Sequence, residues 1–449
     1  MLDIKYIREN AEKIKQAIKN KNINLDLDEL LILDEQRRKL QFKIDESRTE
    51  KNKIAESAKG KGGKPHWIAS TQRGKPTKEQ IEAGKKIKTE INNAEEQFKK
   101  IAVKYKQLLY AVPNTTSEDT PIGLNESGNK VIRKFGAIPK FDFKPKNHME
   151  LGVTHNIIDT EKSALISGAR FNYLFGEAVL LQFAILQFTL QTLTDQKIIK
   201  KLADKVGNPF DKPFIPVIPP VIAKSEIMKK MDRLDPIEDR YYLEQDDSLL
   251  IGSAEHTLGP LHMNEIIDEK KLPIRYIGYS TAFRREAGTY GKDMVGILRR
   301  HQFDKAEMET FIQPEHGIVE QDLIIAIQEY LVQQLELPYQ VVAICTGDMG
   351  KQDFRQIDIE CFMPSENKYR ETHTSDYMTD YQSRRLNIRY KNKNNEKNLV
   401  HMNDATAFAM GRILIAILEN YQQANGNIII PKVLRKYMPN NQSLVLVKK

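Results

Sequence analysis

The chain has 449 residues, which is more than one hydrophobic core usually organises, so two or three domains are expected. Its residues are 40% hydrophobic and 29% charged, which excludes a disordered chain, and no run approaches the roughly 20 apolar residues of a membrane helix. The first residues, MLDIKYIREN, hold no apolar signal core, and the two cysteines, Cys345 and Cys361, lack CxxC spacing, so we expect a cytoplasmic protein without disulfides or membrane segments.

The net charge of +8 is concentrated in the N-terminal part of the chain. Residues 31–110 contain 20 lysines and arginines against 11 acidic residues, and residues 59–78 contain six basic residues and no acidic one. Those six are Lys59, Lys61, Lys64, Arg73, Lys75 and Lys78. A patch of one sign on one element favours a polyanionic partner such as a nucleic acid, although a solubilising role would give the same pattern.

The same region shows two heptad patterns. Mostly apolar residues recur at alternating spacings of four and three over 33–58 and again over 84–108. The segment between them contains glycines, prolines and the only tryptophan, Trp67, which is typical of a loop. The pattern therefore predicts an antiparallel coiled-coil hairpin.

We place the arm of this hairpin at about 27–110 and its tip at about 59–78. A short helix over 3–20 precedes it, and the whole forms an N-terminal domain of residues 1–112. Trp67 in the tip either stacks on a base or packs against a helix end, and the sequence favours neither.

A linker of residues 113–145 leads into a domain of residues 146–449 with a different pattern. Its β-rich runs are 169–176, 241–253, 274–286 and 339–347, and its helical stretches are 178–206, 224–231 and 315–336. Separated strands joined by hairpins predict an α+β domain with a mostly antiparallel sheet of six or seven strands and flanking helices. The chain has neither GxGxxG after a strand nor GxxxxGK[ST], so any ATP would bind to a different kind of sheet.

The most specific signal is the segment TAFRREAG at 281–288, followed by HQFDKAE at 301–307. Arg284 and Glu286 are two apart on a predicted strand, so both side chains should point to one face. Arg284 would then bind a phosphate, and Glu286 would accept a hydrogen bond from an amine. An exposed salt bridge between the two residues would give the same sequence pattern.

Several motifs together are similar to those of bacterial-type seryl-tRNA synthetases, which are class II synthetases. The N-terminal hairpin resembles the family's tRNA-binding domain, and FRREAGTYGKDMVGILRRHQFDKAEM resembles its second signature motif. CTGDMGKQDFRQIDIE, YRETHTSDYMTDYQSRRLNIRY and FAMGRILIAILENYQ resemble the remaining active-site strands and the third signature. The stretch 213–231 lies where the first signature forms a dimer interface.

This resemblance implies activation of L-serine with ATP and its transfer to tRNA(Ser), whose long variable arm the hairpin reads, by a homodimer. It also implies roles for individual residues. Arg284, Glu286 and Arg412 are the implied catalytic residues, which bind the α-phosphate, the adenine amino group and the terminal phosphates. Phe303 stacks on adenine, and Glu371 and Thr374 hold Mg²⁺.

Serine binding is implied for Ser253, Glu255, Arg284, Glu307 and Thr406. Binding of tRNA is implied for Lys59, Lys61, Lys64, Trp67, Arg73, Lys75 and Lys78. None of these residues has to move a proton, because phosphoryl displacement depends mainly on positioning and on stabilisation of charge.

The chain departs from the family pattern at the amino-acid pocket. Ser253-Ala254-Glu255 replaces TAE, residues 372–377 replace a serine-rich stretch, and Asp404-Ala405-Thr406 replaces Asn-Gly-Ser. Asp404 is the most serious change because a charge replaces a neutral amide, and this leaves a compensating basic neighbour or a displaced role open.

No zinc is expected, because zinc-binding Cys/His spacings are absent. The nearby histidines are interpreted as structural or supporting residues. They are His256, His262, His301, His373 and His401.

Two alternatives remain at this stage. One is a synthetase-like ligase that loads a small amino acid onto a carrier protein, which the basic arm disfavours. The other is a paralogue that is non-catalytic or altered in specificity, which the intact Arg284, Glu286, Glu371 and Arg412 disfavour.

Overall fold

The computed structural model of the chain describes residues 1–58, 77–287 and 296–446. It divides into two compact units, of which one comprises residues 2–19 and 23–113. The other comprises Asn114–Lys449 together with Met1 and Asn20–Asn22. Within the described ranges, every helix is too short or too polar to span a bilayer.

The first unit consists of helices α1 (Ile4–Glu9), α2 (Ala11–Asn20), α3 (Leu27–Ala58) and α4 (Lys78–Ala111). The prediction of a single helix over 3–20 is therefore wrong: α1 ends at Glu9, and the amide side chain of its C-cap, Asn10, donates to the Tyr6 carbonyl.

The helices α3 and α4, of 32 and 34 residues, form the predicted coiled-coil hairpin. Arg48 on α3 bonds to Glu95 on α4 at 2.8 Å, and Arg37 lies 4.8 Å from the centre of the Tyr105 ring. From one contact to the next the residue numbers rise in α3 and fall in α4, so the two helices are antiparallel. A capping box between Thr77 and Gln80 begins α4.

The seam of the arm combines buried apolar side chains with one buried acid. Ile44, Ile87, Ile91 and Ala94 are buried, as the heptads predict. Asp34 is also fully buried, which the heptads do not predict. Its carboxylate is 3.1–3.4 Å from the guanidinium groups of three arginines, Arg8, Arg37 and Arg38.

The second unit holds the remaining elements. Its helices are α5 (His148–His155), α6 (Glu161–Ser167), α7 (Glu177–Thr194), α8 (Gln196–Val206), α9 (Ser225–Met231), α10 (Glu255–Leu258), α11 (Gly317–Gln334), α12 (Tyr381–Leu386), α13 (Met410–Asn420) and α14 (Lys432–Arg435). Its strands are β1 (Lys130–Phe135), β2 (Ile158–Asp159), β3 (Tyr173–Leu174), β4 (Ile215–Val217), β5 (Ile222–Lys224), β6 (Tyr242–Leu243), β7 (Ser248–Leu250), β8 (Ile266–Asp268), β9 (Ile274–Phe283), β10 (Gln302–Ile312), β11 (Tyr339–Ala343), β12 (Arg355–Met363), β13 (Lys368–Thr379), β14 (Arg389–Lys391), β15 (Lys397–Leu399), β16 (His401–Ala409), β17 (Ile428–Ile429) and β18 (Leu444–Val445).

The main sheet has eight strands in the order β1-β11-β12-β13-β16-β10-β9-β4. All neighbours are antiparallel except β4 and β9, which are parallel. The predicted α+β fold with a mostly antiparallel sheet is thus confirmed. The predicted strand number was too low, because the segment predicted as a linker contributes the edge strand β1.

Three predicted elements are interrupted. The run 274–286 is a strand only as far as Phe283, and Glu286 adopts a positive φ of 52°. The prediction that Arg284 and Glu286 share one strand face was therefore wrong. The helix predicted over 178–206 breaks at Asp195, whose carboxylate accepts from two amides and caps α8. Residues 241–253 form two short strands separated by a 3₁₀ turn.

Strand alternation divides the sheet into an apolar face and a polar face. Met308 on β10, Ile359 on β12 and Ala405 on β16 belong to the large apolar core, which also contains the buried leucines and isoleucines of α11. Their neighbours in sequence point the other way. Glu307 on β10 and Thr406 on β16 are paired across the strands on this polar face.

Candidate active site

The polar face borders a cavity of about 220 Å³. Most of the residues singled out for ATP, serine and Mg²⁺ line it, although they come from six separate segments. These are Glu255, Arg284, Glu286, Phe303, Glu307, Glu371, Thr374, Thr406 and Arg412. Ser253 is buried beside them, where its hydroxyl accepts from the Lys305 ammonium at 3.2 Å.

Arg284 lies just after the end of β9. Its Nε donates to the Gly252 carbonyl at 3.1 Å, and its guanidinium lies 5.5 Å from the centre of the Phe303 ring. Glu286 accepts from Arg299 at 3.2 Å. The left-handed turn at Glu286, and not a shared strand face, is what brings these side chains to one cavity.

Glu371 and Thr374 lie on β13 next to Arg412 of α13. Arg412 Nη1 donates to the Glu371 carboxylate at 2.7 Å and to its carbonyl at 3.0 Å, and the Thr374 hydroxyl donates to the same carboxylate at 3.3 Å. The Glu371 side chain is 46% exposed. Although partial desolvation acts in the opposite direction, Arg412 holds the pKa of Glu371 below its usual value.

Asp358 on β12 is paired with Thr374 in the sheet. Burial and, secondarily, the neighbouring Glu371 raise the pKa of Asp358 well above its ordinary value. Glu371 and Thr374 line one end of the cavity and Asp358 lies beside them, and hard oxygen donors of this kind suit Mg²⁺.

Arg412 stands in the first turn of α13, whose free amide groups and positive dipole end favour anions. Gly411 precedes it, and a Cβ at this position would lie only 2.9 Å from the Ile297 carbonyl oxygen. The absence of a side chain there lets the backbone at Ile297 approach the helix terminus.

Carboxylates dominate the opposite end of the cavity. Glu307 is 2.7 Å from the Lys305 ammonium, and Glu255 is 2.7 Å from Nε of Arg233. The other end of the same guanidinium, Nη2, is 3.4 Å from Asp404. Arg233 is thus the compensating basic neighbour of Asp404 that the sequence left open.

The pKa values of these carboxyl groups differ because their neighbours differ. Burial would raise the pKa of Glu255, but the charge of Arg233 and a hydrogen bond with His256 hold it well below its usual value. Burial raises the pKa of Glu307 and, more strongly, that of Asp404, which also faces the charge of Glu255. Glu309, fully buried and paired with Asp404 across the strands, has a strongly raised pKa as well.

Several of the histidines are buried and neutral. Burial lowers the pKa of His256 to about 4, of His373 to about 3 and of His401 to about 4. Among the described residues, the side chains close enough to share a metal ion are the three carboxylates Glu255, Glu307 and Asp404. Arg233 and Lys305 contact this group.

Of the residues singled out for tRNA, Lys78 is exposed and begins α4. The others, Lys59, Lys61, Lys64, Trp67, Arg73 and Lys75, lie outside the described residues.

Comparison with known proteins finds a matching family model for part or all of each unit. Residues 1–116 match the family model of the seryl-tRNA synthetase N-terminal domain, and residues 240–421 match that of the tRNA synthetase class II core domain (G, H, P, S and T). The serine–tRNA ligase of Nitrosopumilus maritimus is 35% identical, over 99% of this chain and 100% of the relative. The chain belongs to the seryl-tRNA synthetase family.

Other members of the seryl-tRNA synthetase family agree over the full length. The serine–tRNA ligase of Borreliella burgdorferi is 38% identical over 97% of this chain and 98% of its own. The crystal structure of seryl-tRNA synthetase from Pyrococcus horikoshii complexed with ATP superposes with a TM-score of 0.88 at 35% identity and covers all of both chains. The alternatives of a paralogue or a carrier-protein ligase therefore lose their support.

Sequence analysis missed several residues that line this cavity, among them Arg233, Lys305 and Asp376. Lys305 could have been found, because it precedes Glu307 by two positions, and two such side chains share a face wherever the segment is a strand. Arg233 had no such signal, since its segment between α9 and β6 matches no spacing rule.

Proposed function

We propose that this chain catalyses the two reactions of a serine–tRNA ligase. It joins L-serine and ATP to give seryl-adenylate and pyrophosphate, and then transfers the seryl group to the 3′ end of tRNA(Ser). The observation that carries this proposal is a single cavity with arginines and hard oxygen donors at one end and buried carboxylates at the other. It supports a triphosphate and an amino acid bound side by side.

In the first reaction a carboxylate oxygen of serine attacks the α-phosphorus of ATP, and the bond to pyrophosphate breaks. Arg284 binds the α-phosphate and stabilises the charge that develops there, while Glu286 accepts from the adenine amino group. Arg412 holds the leaving phosphates, for which it must release Glu371. Positioned cations of this kind are sufficient for phosphoryl displacement.

In the second reaction a hydroxyl of the terminal ribose of tRNA attacks the carbonyl carbon of the adenylate, and AMP leaves. Phe303 supports the adenine ring during both reactions, and the 5.5 Å between its ring centre and the Arg284 guanidinium supports a shared contact with one base.

We assign the Mg²⁺ site to Glu371 and Thr374, with Asp358 behind them. Burial and, secondarily, the neighbouring Glu371 raise the pKa of Asp358, and a bound divalent cation would offset the repulsion between the two carboxylates. When bound, Mg²⁺ neutralises phosphate charge and orients the leaving group.

Serine recognition is assigned to the other end of the cavity. Glu255, whose pKa is held low, is ionised at neutral pH and suits the ammonium group. Ser253, Glu307 and Thr406 surround the space for the hydroxymethyl group, and Arg284 reaches the carboxylate.

The tRNA-binding surface is assigned to the arm, through Lys59, Lys61, Lys64, Trp67, Arg73, Lys75 and Lys78. The arm's excess of nine positive charges supports this assignment, because phosphate contacts supply much of the affinity for RNA. We correspondingly assign residues 1–112 to tRNA binding and 146–449 to catalysis, while residues 113–145 connect them and contribute the edge strand β1 to the catalytic sheet.

We propose that the active form is a homodimer that assembles through the stretch 213–231. Three isoleucines there are strongly exposed: Ile215 by 54%, Ile218 by 88% and Ile222 by 49%. Apolar surface concentrated in this way is typical of a protein interface. Light scattering on Ile218→Asp would give a monomer if this surface forms the dimer. We also place the protein in the cytoplasm, in accord with two unpaired cysteines.

The deciding experiment is amino-acid-dependent exchange of pyrophosphate into ATP by the purified full chain, with and without Mg²⁺. Exchange with serine, but not with threonine, alanine or glycine, is expected. Exchange with threonine or alanine instead would overturn the substrate, and a folded protein without exchange for any of them would overturn the enzymatic function.

A further inference from the structure

One guanidinium at the amino-acid end of the cavity has no role in the reaction as proposed. Arg233 follows the left-handed residue Asp232 at the end of α9, and its side chain is only 18% exposed. It spans two acids that come from different parts of the chain, with Glu255 at 2.7 Å from its Nε and Asp404 at 3.4 Å from its Nη2.

The charge balance of this region depends on that contact. One oxygen each of Glu255, Glu307 and Asp404 lies within 4.8 Å of the other two. Carboxylates this close and this buried cannot all stay ionised unless cations compensate them. Lys305 compensates Glu307, and Arg233 compensates Glu255 and Asp404.

A further row of acids lies beside this group, where the strands pair Glu309 with Asp404 and Asp404 with Asp376. Neither carboxylate oxygen of Glu309 has a hydrogen-bond partner within the described part of the chain. Asp404 therefore sits between two further acids, and its interaction with Arg233 is what makes a charge at this position tolerable.

We propose that Arg233 and Asp404 act as a pair in amino-acid recognition, in which Arg233 orients Glu255 toward the substrate and compensates Asp404. Arg233 is then a positioning residue and Asp404 its counter-ion. The pair takes the role of the neutral asparagine that the family pattern has at the position of Asp404. The inference rests on the proposed function, since it takes the amino acid to be the ligand at this end of the cavity.

The test compares three variants of the full chain in serine-dependent pyrophosphate exchange: Arg233→Met, Asp404→Asn and the two combined. Arg233→Met should raise the KM for serine about tenfold or more and leave the KM for ATP within about twofold, because ATP binds at the other end of the cavity. Asp404→Asn alone should change the KM for serine by a few-fold. Combining the two should bring the KM at least about fivefold below that of Arg233→Met, because the uncompensated charge is gone.

A purely structural Arg233 would behave differently, since loss of folded protein lowers the rate without a selective change in the KM for serine. Arg133→Met is the matched control. This residue also pairs with a mostly buried acid, Glu329 at 2.7 Å, but it lies on the edge strand β1. Both KM values of this variant should stay within about twofold of those of the unmodified chain.

If Arg233→Met does not fold, Arg233→Lys replaces it, because lysine keeps the charge but cannot contact both acids, and it should give an intermediate KM for serine. An unchanged KM in Arg233→Met, or no recovery in the double variant, overturns the inference. Failure of the proposed function would appear in the unmodified chain as no exchange with serine, whereas failure of this inference appears only in the variants.

Discussion

The helical arm and the catalytic sheet are both rich in charged residues, but they hold their charges in opposite environments. In the arm, ion pairs such as Glu35 with Lys39 and Glu96 with Lys100 join exposed side chains. In the sheet, Glu307 and Asp404 are 1% and 2% exposed and depend on single cations.

This difference predicts how the two regions respond to change. An exposed ion pair contributes about 0–1 kcal/mol and is screened by salt. The loss of one charge in the arm should therefore have a small effect, and only the loss of several should have a large one. A buried charge that loses its partner costs about 3–5 kcal/mol, so charges at the site should act singly. The arm suits a long polyanion, and the site suits one small substrate.

The largest effect is expected for Arg284→Ala. The kcat/KM for pyrophosphate exchange should fall about 10³-fold or more, because one positioned cation stabilises the α-phosphate in the transition state. The matched control is Arg285→Ala, since this exposed neighbour bonds to the Arg240 carbonyl at 2.9 Å and does not line the cavity. Equal losses in both variants would mean that charge near the site acts collectively, as in the arm.

The sequence predicted well what local patterns determine. Heptads specify the hairpin α3–α4 through contacts that repeat every few residues, and the motif letters identified the strands β9, β10 and β13. It did not predict Arg233, because Asp404 is 171 residues away and no rule of spacing connects them.

Two other features depended on backbone geometry or tertiary contacts. Glu286 reaches the cavity through a left-handed turn that the letters FRRE do not encode. Asp34 is buried because Arg8 from another helix and two arginines of its own helix surround it, whereas the heptads assign the seam to the adjacent position, Leu33.

Asp34 is a buried charge in a region of mostly exposed charges. It therefore tests whether burial or the region determines how much a charged side chain contributes to stability. Asp34→Asn should destabilise the arm by about 2 kcal/mol or more, because three arginines lose a fully buried partner. Hydrogen exchange of the α3 and α4 amides in the full chain would measure this. Asp45→Asn, at a carboxylate that is 59% exposed, should cost less than about 0.5 kcal/mol. Similar costs for the two variants would refute the distinction.

A smaller effect concerns the dependence of stability on pH, and it distinguishes the two regions by their histidine content. Burial lowers the pKa of His401 to about 4, so the unfolded chain takes up a proton below about pH 6.5 that the folded chain does not. Stability contributed by neutral His401 is therefore lost as pH falls from 7 to 5, by on the order of 1–2 kcal/mol.

The expected result is that His401→Gln loses less stability than the unmodified chain over this pH range, as measured by hydrogen exchange of the β16 amides. Residues 1–58 and 77–113 contain no histidine, so exchange in the arm of the same samples should be identical in both proteins. A parallel loss of stability in the variant would show that His401 is not the group that titrates.

The smallest effects per residue are expected for single charges on the arm. Lys85, Lys86 and Lys88 are exposed on α4, and replacing all three by alanine should weaken tRNA binding while keeping the helix, since alanine is a strong helix former. Each replacement alone should cost only a few-fold in Kd. The plot of log K against log salt has a negative slope, and the triple variant should make it shallower by about 2–3, because about three phosphate contacts are lost. The matched control replaces Lys391, Lys393 and Lys397, which are equally exposed in the catalytic unit, and should leave the slope unchanged. If one arm lysine alone accounted for the whole change, the arm would recognise tRNA through a specific contact, and its charges would resemble those of the site.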